Sequence, residues 1–332
     1  MTHMSDESVS WWGKWLDKSI VFSFDKNGFR RHSARFDSND LSVDLTGRVC
    51  VVTGANSGLG FATTEALACR GARVWMICRN PERGQAARKE ILQRYPEADL
   101  HLAIADLSSF ESVRTFVAGF DEPQVDVLIQ NAGVLPTERQ FTDDGLELTL
   151  ATNLVGPFLL MAQLLPRMLE ADRARVIWVA SGGMYAKKLD LHALTGRAGR
   201  FDGVSQYAHT KRAQSVLSKQ LADRFRAYGI AVHCMHPGWA STPGVQSSIP
   251  NFWRVTRQIL RSSEEGADTI VWLAACDKAQ EQSGLFWFDR QAVPTHLRRG
   301  TQSTADEEHA LWLQLLEWSG LEDSVFSATS TP

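Results

Sequence analysis

The chain lacks the signatures of several protein classes. No stretch approaches the roughly 20 consecutive apolar residues of a membrane-spanning helix. The nearest candidate, 154–165, is short and reads as a buried core helix. Positive charge is not in excess: 35 Lys and Arg stand against 38 Asp and Glu, a formal net charge of −3. Sequence-independent nucleic-acid binding therefore has no electrostatic footprint, and no nucleic-acid partner is expected. The cysteines are Cys50, Cys69, Cys78, Cys234 and Cys276, an odd number at wide spacings, and no C-x-x-C pair occurs. This argues against a disulfide framework or a zinc site; buried thiols in a reducing compartment are expected, and no metal. No internal repeat or low-complexity tract is visible. Asp6 and Glu7 stand where a secretory leader would be basic, and no apolar core follows them, so the expected location is the cytoplasm.

With 332 residues the chain can hold one large α/β domain or two modest ones. Residues 1–45 read as an N-terminal extension. Within it, 10–22 carries Trp11, Trp12 and Trp15 with Lys14 and Lys18. This segment reads either as an amphipathic helix making peripheral contact with a membrane or lying over a hydrophobic cleft, or as a terminal helix docked on its own domain. The thin cationic face favours docking. From residue 46 to 290, β-like and helical segments alternate. Apolar runs at 48–53, 72–78, 100–105, 125–130, 175–181, 230–236 and 284–288 predict strands. Helical patterns fill 58–70, 81–95, 108–120, 205–228 and 263–276, with Pro81 suited to a first turn and Ser108 to a cap. A long pattern at 143–170 predicts one helix, bent at Pro157. Such alternation predicts an α/β fold: a Rossmann-like, doubly wound parallel sheet in a single domain. Residues 291–332 read as a polar tail with a C-terminal helix around 310–318.

Two motifs carry the chemistry. The first, Thr53-Gly54-Ala55-Asn56-Ser57-Gly58-Leu59-Gly60, follows the strand-like run Val49–Val52 and opens a helix. Glycines there aim backbone N–H groups at a phosphate, and the helix N-terminus adds positive potential. A glycine motif alone is weak; the strand before it and the helix after it raise its value. An acid at the end of the second strand would favour NAD(H). The chain instead has Arg79, nineteen residues after Gly60, and a guanidinium suits a 2′-phosphate. NADP(H) is thus favoured over NAD(H), against the bland alternative of a solvated surface arginine. Asp106, followed by Leu107 after the third strand, would accept from an adenine amino group or cap the next helix. Asn131, Ala132 and Gly133 after the fourth strand would let the backbone pass close to a cofactor.

The second motif is Tyr207-Ala208-His209-Thr210-Lys211, with Ser181 upstream at the end of a strand-like run. Tyr207 and Lys211 are four apart on a predicted helix and share a face. A phenol near pKa 10 is a poor acid–base group at neutral pH. A nearby ammonium is expected to lower that pKa, and Lys211 would also hold the ribose beside the nicotinamide. Ser181 would fix the substrate oxygen. A Tyr–Lys pair alone carries no weight; its order after the glycine loop and Ser181 does.

Taken together, the glycine loop, Asn131-Ala132-Gly133, Asn153 in Thr152-Asn153-Leu154-Val155-Gly156, Ser181, Tyr207 with Lys211, and Pro237-Gly238 resemble the short-chain dehydrogenase/reductase family over residues 46–290. Further stretches, among them 236–245 and 266–274, resemble an orphan subgroup of that family. The resemblance implies a catalytic tetrad of Asn153, Ser181, Tyr207 and Lys211, with Asn153 holding a water that relays protons through Lys211. It also implies that Pro237, Gly238 and Thr242 border the nicotinamide. Family members often pair through the tyrosine-bearing helix, which makes a homo-oligomer an expectation by analogy. Gln130 and Ala180 depart from common family residues but lie outside the tetrad.

Other residues tempt less. His233 and His236 are three apart on a strand and face opposite sides; His209 points away from Tyr207. Trp239, Ile249, Phe252 and Trp253 stand where the family places its variable substrate loop, and their character suggests a hydrophobic small-molecule substrate. The twenty-five residues between Ser181 and Tyr207 read as a pocket wall or as a surface excursion. The expected function is an NADP-preferring oxidoreductase interconverting a carbonyl and an alcohol, with Tyr207 as general acid/base. The alternatives are a cofactor-binding sensor or scaffold without turnover, and epimerisation or dehydration of a nucleotide sugar, which the glycine spacing disfavours.

Overall fold

The computed structural model describes residues 23–297 and 299–327. Both readings of the Trp-rich segment 10–22 lie outside the described residues. The first helix among the described elements is α1 (Lys26–Ser33), capped by Asp25, whose carboxylate accepts from Gly28 N at 2.7 Å. The sheet strands are β1 (Val49–Thr53), β2 (Arg73–Cys78), β3 (Leu100–Ile104), β4 (Val127–Gln130), β5 (Arg175–Val179), β6 (Ala231–Met235), β7 (Phe286–Phe288) and β8 (Gln291–Ala292). Their spatial order is β3-β2-β1-β4-β5-β6-β7-β8. Pairing is parallel up to β7, and β8 folds back antiparallel. The chain winds outward from β1 in both directions, so the order reverses between β1 and β4. Such a switch point opens a crevice at the carboxyl ends of the strands.

The central strands are buried throughout because both faces are covered. Their side chains still alternate. Val51, Leu128 and Val176 enter one core with α4 (Phe110–Ala118), α5 (Gly156–Leu169), α6 (Gly203–Phe225) and α8 (Ala305–Ser319). Cys50, Val52, Ile129 and Ile177 enter the other with α2 (Gly58–Ala68), α3 (Pro81–Arg94) and α7 (Ser263–Ala275).

The sequence expectation fails in three places. The pattern at 143–170 is not one helix: Phe141 and Glu147 form an antiparallel bridge, helix begins only at Leu148, and Ala151–Val155 is a π turn before α5. The Glu147 carboxylate stops the helix from starting earlier by capping Thr149 N and Leu150 N. Pro157 sits in the first turn of α5, where its missing N–H costs nothing. Helix α4 is capped by Ser109, which accepts from Ser112 N at 3.2 Å, rather than by Ser108, whose hydroxyl bonds Asp106. The C-terminal helix starts at Ala305, five residues before the predicted pattern, because Thr304 and Glu307 form a capping box. The stretch Leu148–Leu169 has the length and hydropathy of a span, yet its apolar window is 89% buried inside the protein. Its apolar surface is used by the core.

Candidate active site

The glycine turn lies between β1 and α2, at the switch point. Gly54 and Gly58 have φ of +67° and +56°, backbone that a side chain would strain. A Cβ on Gly60 would overlap the carbonyl of Gly54, so only glycine lets α2 leave so close to the strand. Ser57 is exposed and makes no side-chain cap to α2. By contrast, α3, α4, α6, α7 and α8 all carry a side-chain cap. The N–H groups at the start of α2 are left available to an anion. Leu59 packs beside Gly266 of α7, and Asn56 is half-buried in the turn.

The opposite wall is tied to this turn. The hydroxyl of Thr53 accepts from Asn131 N and Ala132 N, both at 2.9 Å, and Asn131 Nδ2 donates to Thr53 O at 2.8 Å. A Cβ on Gly54 would stand 3.0 Å from Ala132 Cα, so the two strand ends touch through small residues. Arg79 lies exposed just beyond β2, with no hydrogen bond or ion pair among the described residues. Asp106 Oδ1 accepts from Ser108 N at 2.9 Å and Ser108 Oγ at 2.7 Å, which fixes its carboxylate in a local turn. The Leu107 side chain is buried, and its carbonyl fills the space a Cβ on Gly156 would need. Thr242 faces Gly58 at 3.1 Å from a would-be Cβ, so the loop after Pro237 and Gly238 reaches over the N-terminus of α2.

Asn153, Ser181, Tyr207 and Lys211 come from three separate stretches of chain and meet beyond the carboxyl ends of β4 and β5. Tyr207 and Lys211 project from one face of α6, with Lys211 Nζ 5.3 Å from the Tyr207 ring centroid. The Tyr207 hydroxyl faces the Ser181 side chain. Ser181 ends the β5 run and caps the following 3-10 turn, its Oγ accepting from Gly183 N at 3.2 Å. Lys211 Nζ donates to Val179 O at 2.8 Å. Asn153 sits on the π turn, a rare geometry often found at functional sites. Its side chain brackets Val134, accepting from Val134 N at 2.8 Å and donating to Val134 O at 3.1 Å. Gly133 lies against both Asn153 and Lys211: a Cβ there would stand 3.5 Å from Asn153 Oδ1 and 3.7 Å from Lys211 Nζ.

Burial pushes the Tyr207 hydroxyl up to about 12, against the neighbouring Ser181 hydroxyl. The ammonium is itself destabilised: burial lowers Lys211 to about 8. Low dielectric thus disfavours each charged form. In the protein alone Tyr207 is a protonated phenol, ready to donate.

Some supporting residues escaped sequence analysis. Gln214 Nε2 donates to Asn153 O at 2.5 Å, and Thr210 Oγ1 accepts from Asn153 Nδ2 at 3.3 Å. Gln214 follows Lys211 by three on α6, so helical spacing could have exposed it. Phe24 and Arg261, discussed below, left no such signal. His209 is half-buried near Lys187 and Asp190 rather than beside Tyr207's hydroxyl, and burial lowers its pKa. His233 and His236 are both buried, which lowers each to about 3, so both are neutral. The connection 182–206 packs on the segment before α5: Arg139 Nη2 donates to Gly199 O at 2.7 Å and Arg197 Nη2 to Gly145 O at 2.6 Å.

Comparison with known proteins gives the family. The chain is 40% identical to dehydrogenase/reductase SDR family member 12 of Bos taurus, over 93% of this chain and 96% of that one. It is 33% identical to retinol dehydrogenase 12 of Homo sapiens, over 84% and 89%. Among solved structures, an uncharacterised protein of Mycobacterium paratuberculosis is similar at a TM-score of 0.68 and 28% identity, covering 84% of this chain and 96% of that one. Levodione reductase is similar at 0.60 and 26%, covering 73% and 95%. A family model described as short chain dehydrogenase matches residues 48–251. The chain belongs to the short-chain dehydrogenase/reductase family, oxidoreductases of alcohol and carbonyl groups that bind NAD(P).

Proposed function

We propose that the protein is an NADP-preferring reductase or dehydrogenase that interconverts a carbonyl and an alcohol on a hydrophobic small molecule. One observation carries the reading: a protonated phenol, a serine hydroxyl, an ammonium and an asparagine converge at one end of a crevice whose other end is a glycine turn with uncapped N–H groups. The open glycine cradle and the exposed Arg79 fit a phosphorylated dinucleotide. Gly54, Asn56, Ser57, Gly58, Leu59 and Gly60 would hold its pyrophosphate, and Arg79 its 2′-phosphate. Asp106 and Leu107 would border the adenine. Asn131, Ala132 and Gly133 would line its path, Tyr207 and Lys211 would hold the nicotinamide ribose, and Pro237, Gly238 and Thr242 would border the nicotinamide. When bound, the nicotinamide supplies or accepts the hydride.

The protein's part is proton placement. In reduction Ser181 holds the carbonyl oxygen and Tyr207 delivers its proton as negative charge develops there. Lys211 stabilises the resulting phenolate, and Asn153 fixes the geometry through which Lys211 regains a proton. Trp239, Ile249 and Trp253 on the loop after Gly238 support an apolar substrate, as does similarity to proteins named retinol dehydrogenases. Residues 46–290 act as the catalytic domain, with an extension before and a helical tail after. We place the protein in the cytoplasm.

The test is turnover followed by reduced-cofactor absorbance over lipophilic aldehydes, ketones, retinoids and steroids. Tyr207→Phe should keep NADP affinity and lose about 10²–10⁴-fold in kcat, the usual worth of a positioned acid. Undiminished turnover would remove Tyr207 as the acid. Tight dinucleotide binding with no turnover across the panel would instead support a sensor or scaffold.

A further inference from the structure

Behind the Ser181 and Pro237–Gly238 turns sits a buried ion pair that the chemistry above does not use. Arg261, 1% exposed, donates through Nη1 and Nη2 to the two carboxylate oxygens of Asp289 at 2.6 and 2.9 Å. Its other hydrogen bonds reach Ser23 O at 2.9 Å, Phe24 O at 3.0 Å, Asp25 O at 3.2 Å and Pro237 O at 3.4 Å. His32 of α1 bonds Asp289 Oδ2 at 2.5 Å. Burial disfavours the Asp289 carboxylate, yet these hydrogen bonds hold it below the usual range.

Three features tie the cluster to the site. Gly238 has φ +73°, and a Cβ there would stand 2.5 Å from Arg261 Nε, so the guanidinium lies flat against that turn. The Phe24 ring lies against Gly182, next to Ser181, where a Cβ would be 2.5 Å from Phe24 Cε2. The backbone closes the neck of the substrate loop: Trp239 N donates to Phe24 O at 2.8 Å, Arg261 N to Trp239 O at 2.8 Å, and Lys26 N to Ile259 O at 2.9 Å. Asp289 and Arg290 are both left-handed, φ 48° and 59°, a costly pair of conformations outside glycine. A buried ion pair is seldom the most stabilising filling for its space. What an apolar filling could not do is hold three chain segments in one register.

We propose that Phe24, His32, Arg261 and Asp289 form a clamp by which the N-terminal extension positions the Ser181 turn, the Pro237–Gly238 turn and the neck of the substrate loop. They are positioning residues. The proposal rests on the functional reading above for the identity of those turns.

The test needs no turnover. Asp289→Asn preserves shape and removes the charge; Phe24→Leu keeps an apolar side chain and removes the ring. In folded variants, NADP affinity should fall roughly tenfold, while affinity for 2′-phospho-ADP-ribose, which stops short of the nicotinamide, stays the same. Trypsin cleavage after Arg254 or Arg257 should accelerate by about the same factor. Lys278→Ala, which cuts ties between Asp37, Asp40 and the end of α7, should move neither readout. A lowered melting temperature with an unchanged ratio of the two affinities and unchanged cleavage in both variants would overturn the clamp. An inert Tyr207 would leave these readouts intact, so the two proposals fail separately.

Discussion

At the residue scale, burial rather than pairing governs the acid–base groups. Desolvation of its ammonium lowers Lys211 to about 8, so it loses its proton as pH rises through that value. A neutral Lys211 can no longer stabilise the Tyr207 phenolate. We expect kcat for carbonyl reduction to be level below pH 8 and to fall above it by up to about tenfold per unit. Lys211→Arg, which stays charged, should move that fall upward if it supports turnover at all; a profile flat to pH 10 in the unaltered protein would contradict the assignment. Arg79 stands exposed at the end of β2 with no competing partner among the described residues. Arg79→Asp should shift the ratio of NADP to NAD efficiency toward NAD by at least about tenfold, a loss of one charge-assisted contact. Equal ratios before and after would remove Arg79 as the selector. The tyrosine, lysine, serine and glycine positions were legible in the sequence because each sits in a local pattern. Arg261 and Phe24 were not, because each acts across a gap of many residues; Gln214 is marked only by its helical spacing from Lys211.

At the scale of elements, close approach decides more than propensity does. The π turn at Ala151–Val155 brings Gly156 onto the carbonyl of Leu107, with no room for a methyl group. Gly156→Ala should therefore destabilise by about 1–3 kcal/mol or more and, by moving Asn153, lower kcat as well. Chemical denaturation together with turnover would check both; a stable, active variant would show that the turn can yield. The sequence pattern suggested one helix here because apolar spacing does not distinguish an α turn from a π turn. Capping was more readable. Thr304 and Glu307 form a box that starts α8, and the sequence Thr-x-x-Glu announces it even though apolar periodicity begins later. Removing it with Thr304→Ala should cost about 1 kcal/mol of unfolding free energy.

For the molecule as a whole, the first and the last described segments both pack on the sheet-and-helix domain. The extension runs from Phe24 beneath the active-site turns to Asp40, which accepts from Trp272 Nε1 at 2.8 Å on α7. Helix α8 covers α5 and α6. Its Trp312 packs edge-on to Phe158 at 5.6 Å, lies under the Arg224 guanidinium at 3.7 Å, and donates to Asp323 at 2.8 Å. Trp312→Ala should cost about 3–5 kcal/mol, read from the midpoint of urea unfolding. A shift near zero would mean that α8 is an accessory and not a part of the core. The tyrosine helix thus carries a helix of its own chain on part of its surface.

The order of strands and helices, the glycine turn and the spacing of Tyr207 to Lys211 follow from short-range rules: apolar runs buried on two faces, glycines where φ is positive, and helical periodicity. These were available to anyone reading the chain from one end. Which groups became charged, where the long helix pattern broke, and how residues 23–32 came to lie behind Ser181 and Pro237 were decided only by the closed fold. Desolvation and long-range hydrogen bonding depend on what surrounds a group, and that is set by segments more than 200 positions apart, as in Arg261 with Phe24.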